Sequence, residues 1–181
     1  MVQSKSSETK KYIDAQHTLE SNGYGHDPEW LRSIRGSALS RFSELGFPTK
    51  RRGNEEWKYT DVRPIVRLPF APTIESGDDD PVSADQLDRL SPSGSAWHRV
   101  VMVNGRYRAA LSSTGDLPEG VQVTSLAEAV QAGGTTIEAN LGRLATYDED
   151  GFAALNTAFV HEGVFIQIGL VPNTEWLKDS G

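Results

Sequence analysis

The chain contains no cysteine among its 181 residues. That absence excludes a disulfide framework, a thiolate nucleophile, a cysteine-ligated cluster and a cysteine-type zinc site within these residues. Long apolar runs are also lacking, since none approaches the ~20 residues that a membrane-spanning helix needs. Residues 1–11 are rich in serine and lysine and carry no apolar stretch of a secretory signal. We therefore expect a cytoplasmic protein with no membrane partner.

Positive charge is outweighed by negative charge. Lysine and arginine number 18 against 25 aspartates and glutamates, which gives a formal net charge of −7. Non-specific nucleic-acid binding requires Lys and Arg to neutralise phosphates, so we expect no nucleic-acid partner. A hydrophobic fraction of 37% and a charged fraction of 24% are typical of a soluble globular chain.

The N-terminal third contains one clear helix. Residues 1–26 are polar and predict a flexible tail, with a short helix near Tyr12 as the alternative. Asp27 and Pro28 are then typical of a helix start, and Gly46 of its end, so the pattern predicts a helix over residues 28–45. The apolar residues that recur on one face of this helix are Leu31, Ile34, Ala38, Phe42 and Leu45.

The next stretch, residues 47–69, shows neither helical nor strand periodicity and predicts an irregular connector with a short helical turn after Asn54. Ser83 and Gln86 then form a capping box for a short helix that ends near Leu90.

The C-terminal half mixes strands with short helices. Asn104-Gly105 between apolar runs predicts a β-hairpin, because both residues tolerate the positive φ of a tight turn. Ser125 and Glu128 form a second capping box. The further elements predicted are a strand at 121–123, helices at 126–131, around 137–145 and from Asp148 or Asp150 to about Phe159, and a strand at 164–168. The fold class is therefore α+β: an N-terminal helical region with a β-hairpin and short strands.

Four stretches together resemble the SufB/SufD family of iron–sulfur cluster assembly proteins, and its SufD type in particular. The signature stretch is GFPTKRRGNEEWKYTDVRPI at residues 46–65, with its centre at Glu55-Glu56-Trp57-Lys58-Tyr59-Thr60. The supporting stretches are VVMVNGRY at 100–107, LPEGV at 117–121 and FAALNTAF at 152–159 with GVFI at 163–166. The resemblance covers about residues 27–168.

The resemblance implies a role and a domain plan. It implies a non-catalytic scaffold subunit that acts with SufB and with the ATPase SufC, in a complex that handles an iron–sulfur cluster while SufC uses ATP. We expect a flexible tail at 1–26, a SufD-like N-terminal domain at 27–168, and an unstructured tail at 169–181 where the family's right-handed parallel β-helix core would begin. The family's cluster-related Cys and His residues lie late in that core, so none is carried over to this chain.

No catalytic, cofactor-binding or metal-binding residue is predicted. Lys50-Arg51-Arg52 fits either an anion or partner site or, as we favour, a solvated cluster paired with Glu55 and Glu56. Trp57 and Tyr59 fit either a stacking surface or, as we favour, an anchor that packs the connector onto the hairpin. His17, His26, His98, His161, Asp78-Asp79-Asp80 and Gly133-Gly134 lack the spacing of a metal site or a phosphate loop.

Two functions other than the scaffold subunit stay open at this point. One is a stand-alone interaction module without cluster-assembly activity, and the other is a small enzyme, for which the sequence offers no nucleophile or phosphate loop. The strand at 164–168 is expected to present an unpaired edge, so we also expect some self-association.

Overall fold

A computed structural model of the protein describes residues 3–22, 27–50, 55–71, 82–91, 97–133 and 135–168. The chain forms two compact units: the first comprises residues 1–75 and 130–161, and the second comprises residues 76–129 and 162–181. The domain limits expected from the sequence stay a prediction, and the expected tail at 169–181 lies outside the described residues.

Short helices and two-stranded sheets make up the described part of the chain. The helices are α1 (Gln3–Asn22), α2 (Glu29–Leu45), α3 (Arg63–Val66), α4 (Ala84–Leu90), α5 (Leu126–Gln131), α6 (Thr135–Asn140) and α7 (Gly151–Ala158). Single 3-10 turns span Glu55–Trp57 and Ala109–Leu111. The strands are β1 (Met102–Val103), β2 (Arg106–Tyr107), β3 (Val121–Ser125) and β4 (Val164–Ile168). The predicted α+β class is confirmed.

Helix α1 occupies most of the segment for which the sequence predicts a flexible tail. Its composition is polar, but Leu19 and Gln16 are buried, at 2% and 3% exposure. The Tyr12 ring also meets the Phe42 ring of α2 edge-on, with 6.3 Å between centroids. Because its stability comes from packing against α2 and not from its own amphipathic pattern, periodicity did not reveal it.

Helix α2 confirms the predicted 28–45 helix but begins differently. Pro28 occupies the N-cap position, and no side chain caps the first turn. The carboxylate of Asp27, the expected cap, instead accepts a hydrogen bond from Arg35 Nη2 at 2.5 Å. Gly46 ends the helix with a φ of 64°, as expected from its position.

Arg35 is a fully buried cation of the first unit. Its side chain is 0% exposed and forms ion pairs with Glu20 of α1 at 3.2 Å and with Asp27 at 2.5 Å. Its Nε donates to the carbonyl oxygen of Val160, just beyond α7, at 2.7 Å. One guanidinium group thereby joins α1, α2 and the segment after α7.

Helices α2 and α7 form the main apolar contact of this unit. Ala38, Leu39 and Ala158 are buried together, and Ile13, Tyr147 and Phe159 pack around them. Small residues at positions 38 and 158, at 0% and 1% exposure, allow the two helices to approach closely.

The second unit contains two small antiparallel sheets. Strands β1 and β2 pair through Val103↔Arg106, and the intervening Asn104 and Gly105 have φ values of 50° and 79°, so the predicted hairpin is confirmed. Strand β3 pairs with β4 from Val121↔Ile168 to Ser125↔Val164. One edge of β4 is therefore paired with β3, and no other strand of the described residues pairs with its second edge, where the sequence predicts an unpaired edge.

Both predicted capping boxes are present in the structure. Ser83 Oγ accepts from the Gln86 amide at 3.3 Å, and Gln86 Oε1 accepts from the Ser83 amide at 2.8 Å. Ser125 and Glu128 repeat the arrangement at the start of α5. Helix α6 ends at Asn140, short of the predicted 145, because the chain turns through Gly142 with a φ of 74°.

Replacement of Arg35 by alanine should destabilise the protein by about 3–5 kcal/mol, because it leaves two partly buried carboxylates without their cation. Chemical denaturation monitored by circular dichroism measures the change. The matched control is Arg32→Ala on the same helix, where the side chain is exposed. We expect the control to shift the free energy of unfolding by less than about 0.5 kcal/mol. Equal effects of the two substitutions would contradict the proposed role of Arg35.

Candidate functional site

The signature segment, residues 46–65, is attached to the start of α7 by Trp57. The indole ring lies 5.3 Å from the ring of Phe152, and its Nε1 donates to Asp150 Oδ2 at 3.1 Å. Asp150 Oδ1 at the same time accepts from the Ala153 amide at 2.8 Å and so caps α7. One carboxylate thus begins the helix and holds the connector against it.

The predicted packing of Trp57 and Tyr59 onto the hairpin is wrong. Trp57 packs on α7 of the first unit, and the Tyr59 side chain is 87% exposed. The chain makes a 3-10 turn at Glu55–Trp57, which is the short helical turn expected after Asn54, and Tyr59 follows this turn with its ring exposed.

Phe47 is the central ring of an aromatic cluster beneath this segment. Its centroid lies 5.3 Å from Tyr12, 5.1 Å from Phe42 and 5.6 Å from Phe152, each in an edge-to-face arrangement. Such pairs contribute about 0.5–1.5 kcal/mol each beyond the area that they bury. The cluster joins α1, α2 and α7 to the start of the signature segment.

Two glycines set how closely the signature segment approaches α7. A Cβ atom on Gly151 would lie 1.9 Å from the carbonyl oxygen of Gly46, which is closer than real Cβ atoms come to another atom. Gly46 itself has a φ of 64°, which favours glycine. The position of the segment is thus determined by this backbone contact as well as by the aromatic cluster around Phe47.

The charged side chains of the segment are mostly exposed and pair locally. Glu55 forms an ion pair with Lys58 at 3.4 Å, whereas the sequence suggested pairing with the Lys50–Arg52 cluster. Arg63 binds Asp61 through several hydrogen bonds, and together with Lys50 it holds the pKa of that carboxyl well below its usual range. Arg51 and Arg52 lie outside the described residues.

A polar cavity of about 360 Å³ lies between the signature segment and the residues that precede α7. The acidic residues that line it are Glu55, Glu56, Glu149 and Asp150. Within the described ranges, no three His, Cys, Asp or Glu side chains are placed to hold a metal ion. His161 lies 3.8 Å from Asp27 beside the Arg35 network. His26, Gly134 and Asp78-Asp79-Asp80 lie outside those ranges.

Another concave feature of the first unit is an apolar groove of about 350 Å³. Lys11 and Tyr12 of α1 form one part of its lining, and Phe152, Leu155 and Phe159 from α7 and the turn after it form another. Phe70, at the end of the connector, also lines it. Sequence reasoning missed this groove because its residues come from three segments far apart in the chain.

No helix in the described part of the chain is long and apolar enough to cross a membrane.

Comparison with known proteins identifies similar sequences. The family described as SufBD protein N-terminal region matches residues 6–175. An iron–sulfur cluster assembly SufBD family protein from Arabidopsis thaliana is 29% identical over 164 residues, which cover 78% of this chain and 33% of the relative. The chain therefore spans about a third of the length of that relative. No solved structure matches the chain.

Replacement of Gly151 by alanine should destabilise the protein by about 2 kcal/mol or more, because the new methyl group collides with the Gly46 carbonyl. Gly36→Ala is the matched control, since nothing lies within 4 Å of a Cβ at that position in α2. The control should stabilise the helix by up to about 1 kcal/mol. Denaturant titration of both variants measures the contrast, and effects of the same sign would contradict the close approach.

Replacement of Asp150 by alanine should lower the free energy of unfolding by about 1–2 kcal/mol, because it removes the helix cap and the acceptor for Trp57. The tryptophan emission of the chain, to which Trp57 contributes together with three other tryptophans, should also change as the Trp57 ring loses this partner. Asp148→Ala, which removes an exposed carboxylate from the same loop, is the control and should leave stability within about 0.5 kcal/mol. An unchanged Asp150→Ala protein would contradict the shared role of this carboxylate.

Proposed function

The chain belongs to the SufBD family, and we propose that it acts in iron–sulfur cluster assembly as a non-catalytic, SufD-type scaffold subunit. The observation that carries this proposal is the family match over residues 6–175. The Arabidopsis thaliana relative, described as an iron–sulfur cluster assembly protein, supports the same role. The partners that we propose are SufB and SufC, and the cellular location that we propose is the cytoplasm.

The geometry of the signature segment supports a role in protein contacts. Trp57 is held inward by Phe152 and Asp150, while Lys58 and Tyr59 next to it are exposed. Lys58 Nζ lies 5.5 Å from the Tyr59 ring centroid, so the two side chains present a joint cationic and aromatic surface. Exposed aromatic side chains are enriched at protein interfaces, and Tyr59 is the residue that supports this role.

The assignment to the SufD type rests on the N-terminal landmarks of the sequence. In this proposal the iron–sulfur cluster is the cargo of the assembly, and ATP is consumed by SufC. No residue of this chain is assigned to either. In this proposal the chain contributes a surface that binds and positions the other subunits.

A stand-alone interaction module is the second candidate. It is favoured by the packing of the signature segment, since Trp57 and Phe47 contact α1, α2 and α7 of the same unit. The contacts of Trp57 and Phe47 are therefore made with residues of the same chain and do not require a partner protein. A separate full-length SufBD-family gene in the same genome would favour this module over the scaffold subunit.

Binding to SufB and SufC tests the proposed subunit role. We expect each immobilised partner to give a weak, concentration-dependent signal with this chain, and we expect no co-elution in size-exclusion chromatography. The affinity should be low because the chain spans about a third of the relative's length and offers a small interface. The Arg35→Ala variant, which disrupts the first unit, serves as the control and should bind less.

Two results would contradict this proposal. Absence of any signal with both partners would overturn the subunit role, and tight stoichiometric co-elution would overturn the expected weak affinity. ATP hydrolysis by the isolated chain would contradict a non-catalytic subunit.

A further inference from the structure

The apolar groove continues onto an exposed apolar surface of the connector. Ile65 and Leu68 are one turn apart and are 53% and 48% exposed, and Phe70 is 54% exposed. The Lys11 ammonium donates to the Leu68 carbonyl oxygen at 2.8 Å. Since Lys11 and Phe70 both line the groove, this hydrogen bond places the exposed residues at its border. We call the groove together with Ile65, Leu68 and Phe70 the connector face.

The connector face has the size and chemistry of a binding site. Its concave part, about 350 Å³, lies at the lower end of the range of about 300–1,000 Å³ that ligand pockets occupy. The lining is aromatic and aliphatic, with few polar groups, among which are the Lys11 ammonium and the Asn156 amide. A site of this kind accepts large apolar side chains and orients them through a small number of polar contacts.

Two cationic side chains, the half-buried Lys11 and the exposed Arg67, lie at or beside the connector face, although the whole chain carries a net charge of −7. The Lys11 ammonium uses one of its three N–H groups for the hydrogen bond to Leu68, and its Nζ lies 4.9 Å from the Tyr12 ring centroid. Arg67, beside Leu68, is exposed and has no ion pair among the described residues. Burial raises the pKa of Tyr12 and the Glu8 carboxylate adds to this rise, so an acid also acts near this surface.

We propose that the connector face docks an amphipathic, acidic segment of a partner protein. Large apolar side chains of that segment would occupy the groove and cover Phe70, and its carboxylates would pair with Lys11 and Arg67. A basic segment with the same apolar face would meet like charges and be rejected. This inference deepens the scaffold role proposed above and rests on it for the identity of the partner.

A pair of designed helical peptides tests the connector face without any SUF subunit. Both peptides carry leucine and phenylalanine at the i, i+3, i+4 and i+7 positions, and they differ only in having glutamate or lysine elsewhere. Fluorescence anisotropy of the labelled peptides measures their binding to the full chain. We expect the acidic peptide to bind and its affinity to fall about tenfold at high ionic strength, and we expect the basic peptide not to bind.

Two substitutions connect the binding to this surface. Arg67→Glu should weaken the binding of the acidic peptide about tenfold. Phe70→Ser should weaken the binding of this peptide at both low and high ionic strength, because it removes an apolar contact. The matched controls in the same unit are Arg143→Glu and Leu144→Ser, both at exposed positions that do not line the groove. Since all four side chains are exposed, circular dichroism should show unchanged folding in each variant.

The proposal is overturned if neither peptide binds, if both bind equally, or if Arg67→Glu and Arg143→Glu have the same effect. These outcomes are independent of the experiment with SufB and SufC. Failure of the scaffold role with success of the peptide measurement would leave a docking surface whose partner lies outside the SUF system.

Discussion

The buried guanidinium of Arg35 is the interaction on which the first unit depends. Arginine stays charged in proteins, so its burial at 0% exposure is tolerated only when acceptors and opposite charges pair with it. Glu20, Asp27 and the Val160 carbonyl supply that pairing from three different segments. Each segment is therefore constrained by the same group. Helix α1 must be formed for Glu20 to reach Arg35, and the chain after α7 must return to α2 for Val160 to accept from it.

The position of the signature segment follows from this arrangement. With α2 and α7 held together, the backbone of Gly46 can pass Gly151 at a distance that excludes a side chain. Phe47 then falls among the rings of three helices, and Trp57 reaches Asp150 at the start of α7. The inward packing of Phe47 and Trp57 thereby determines that Lys58 and Tyr59 are exposed. This is why a stretch without regular periodicity has a defined surface.

The features that the sequence predicted are those governed by neighbours along the chain. Asn104-Gly105 determines its hairpin through backbone conformation alone, and Ser125 with Glu128 satisfies the amides of one helical turn. The features that it missed depend on residues far apart. The burial of Arg35 could not be predicted, because a charged residue in an amphipathic helix is usually exposed. The hydrogen-bond partner of Trp57, Asp150, lies 93 residues away in the sequence. The resemblance of the signature stretch identified the family, but not the face on which Tyr59 would lie.

The same distinction separates the two candidate surfaces. The surface at Lys58 and Tyr59 comes from one continuous stretch, so its residues were visible in the sequence before their exposure was known. The connector face exists only because α1, α7 and the end of the connector converge. A surface of this kind forms only when these segments have folded together. Because the connector face also depends on Lys11 bridging to Leu68, its shape is coupled to the docking of α1, and through Glu20 to Arg35 itself.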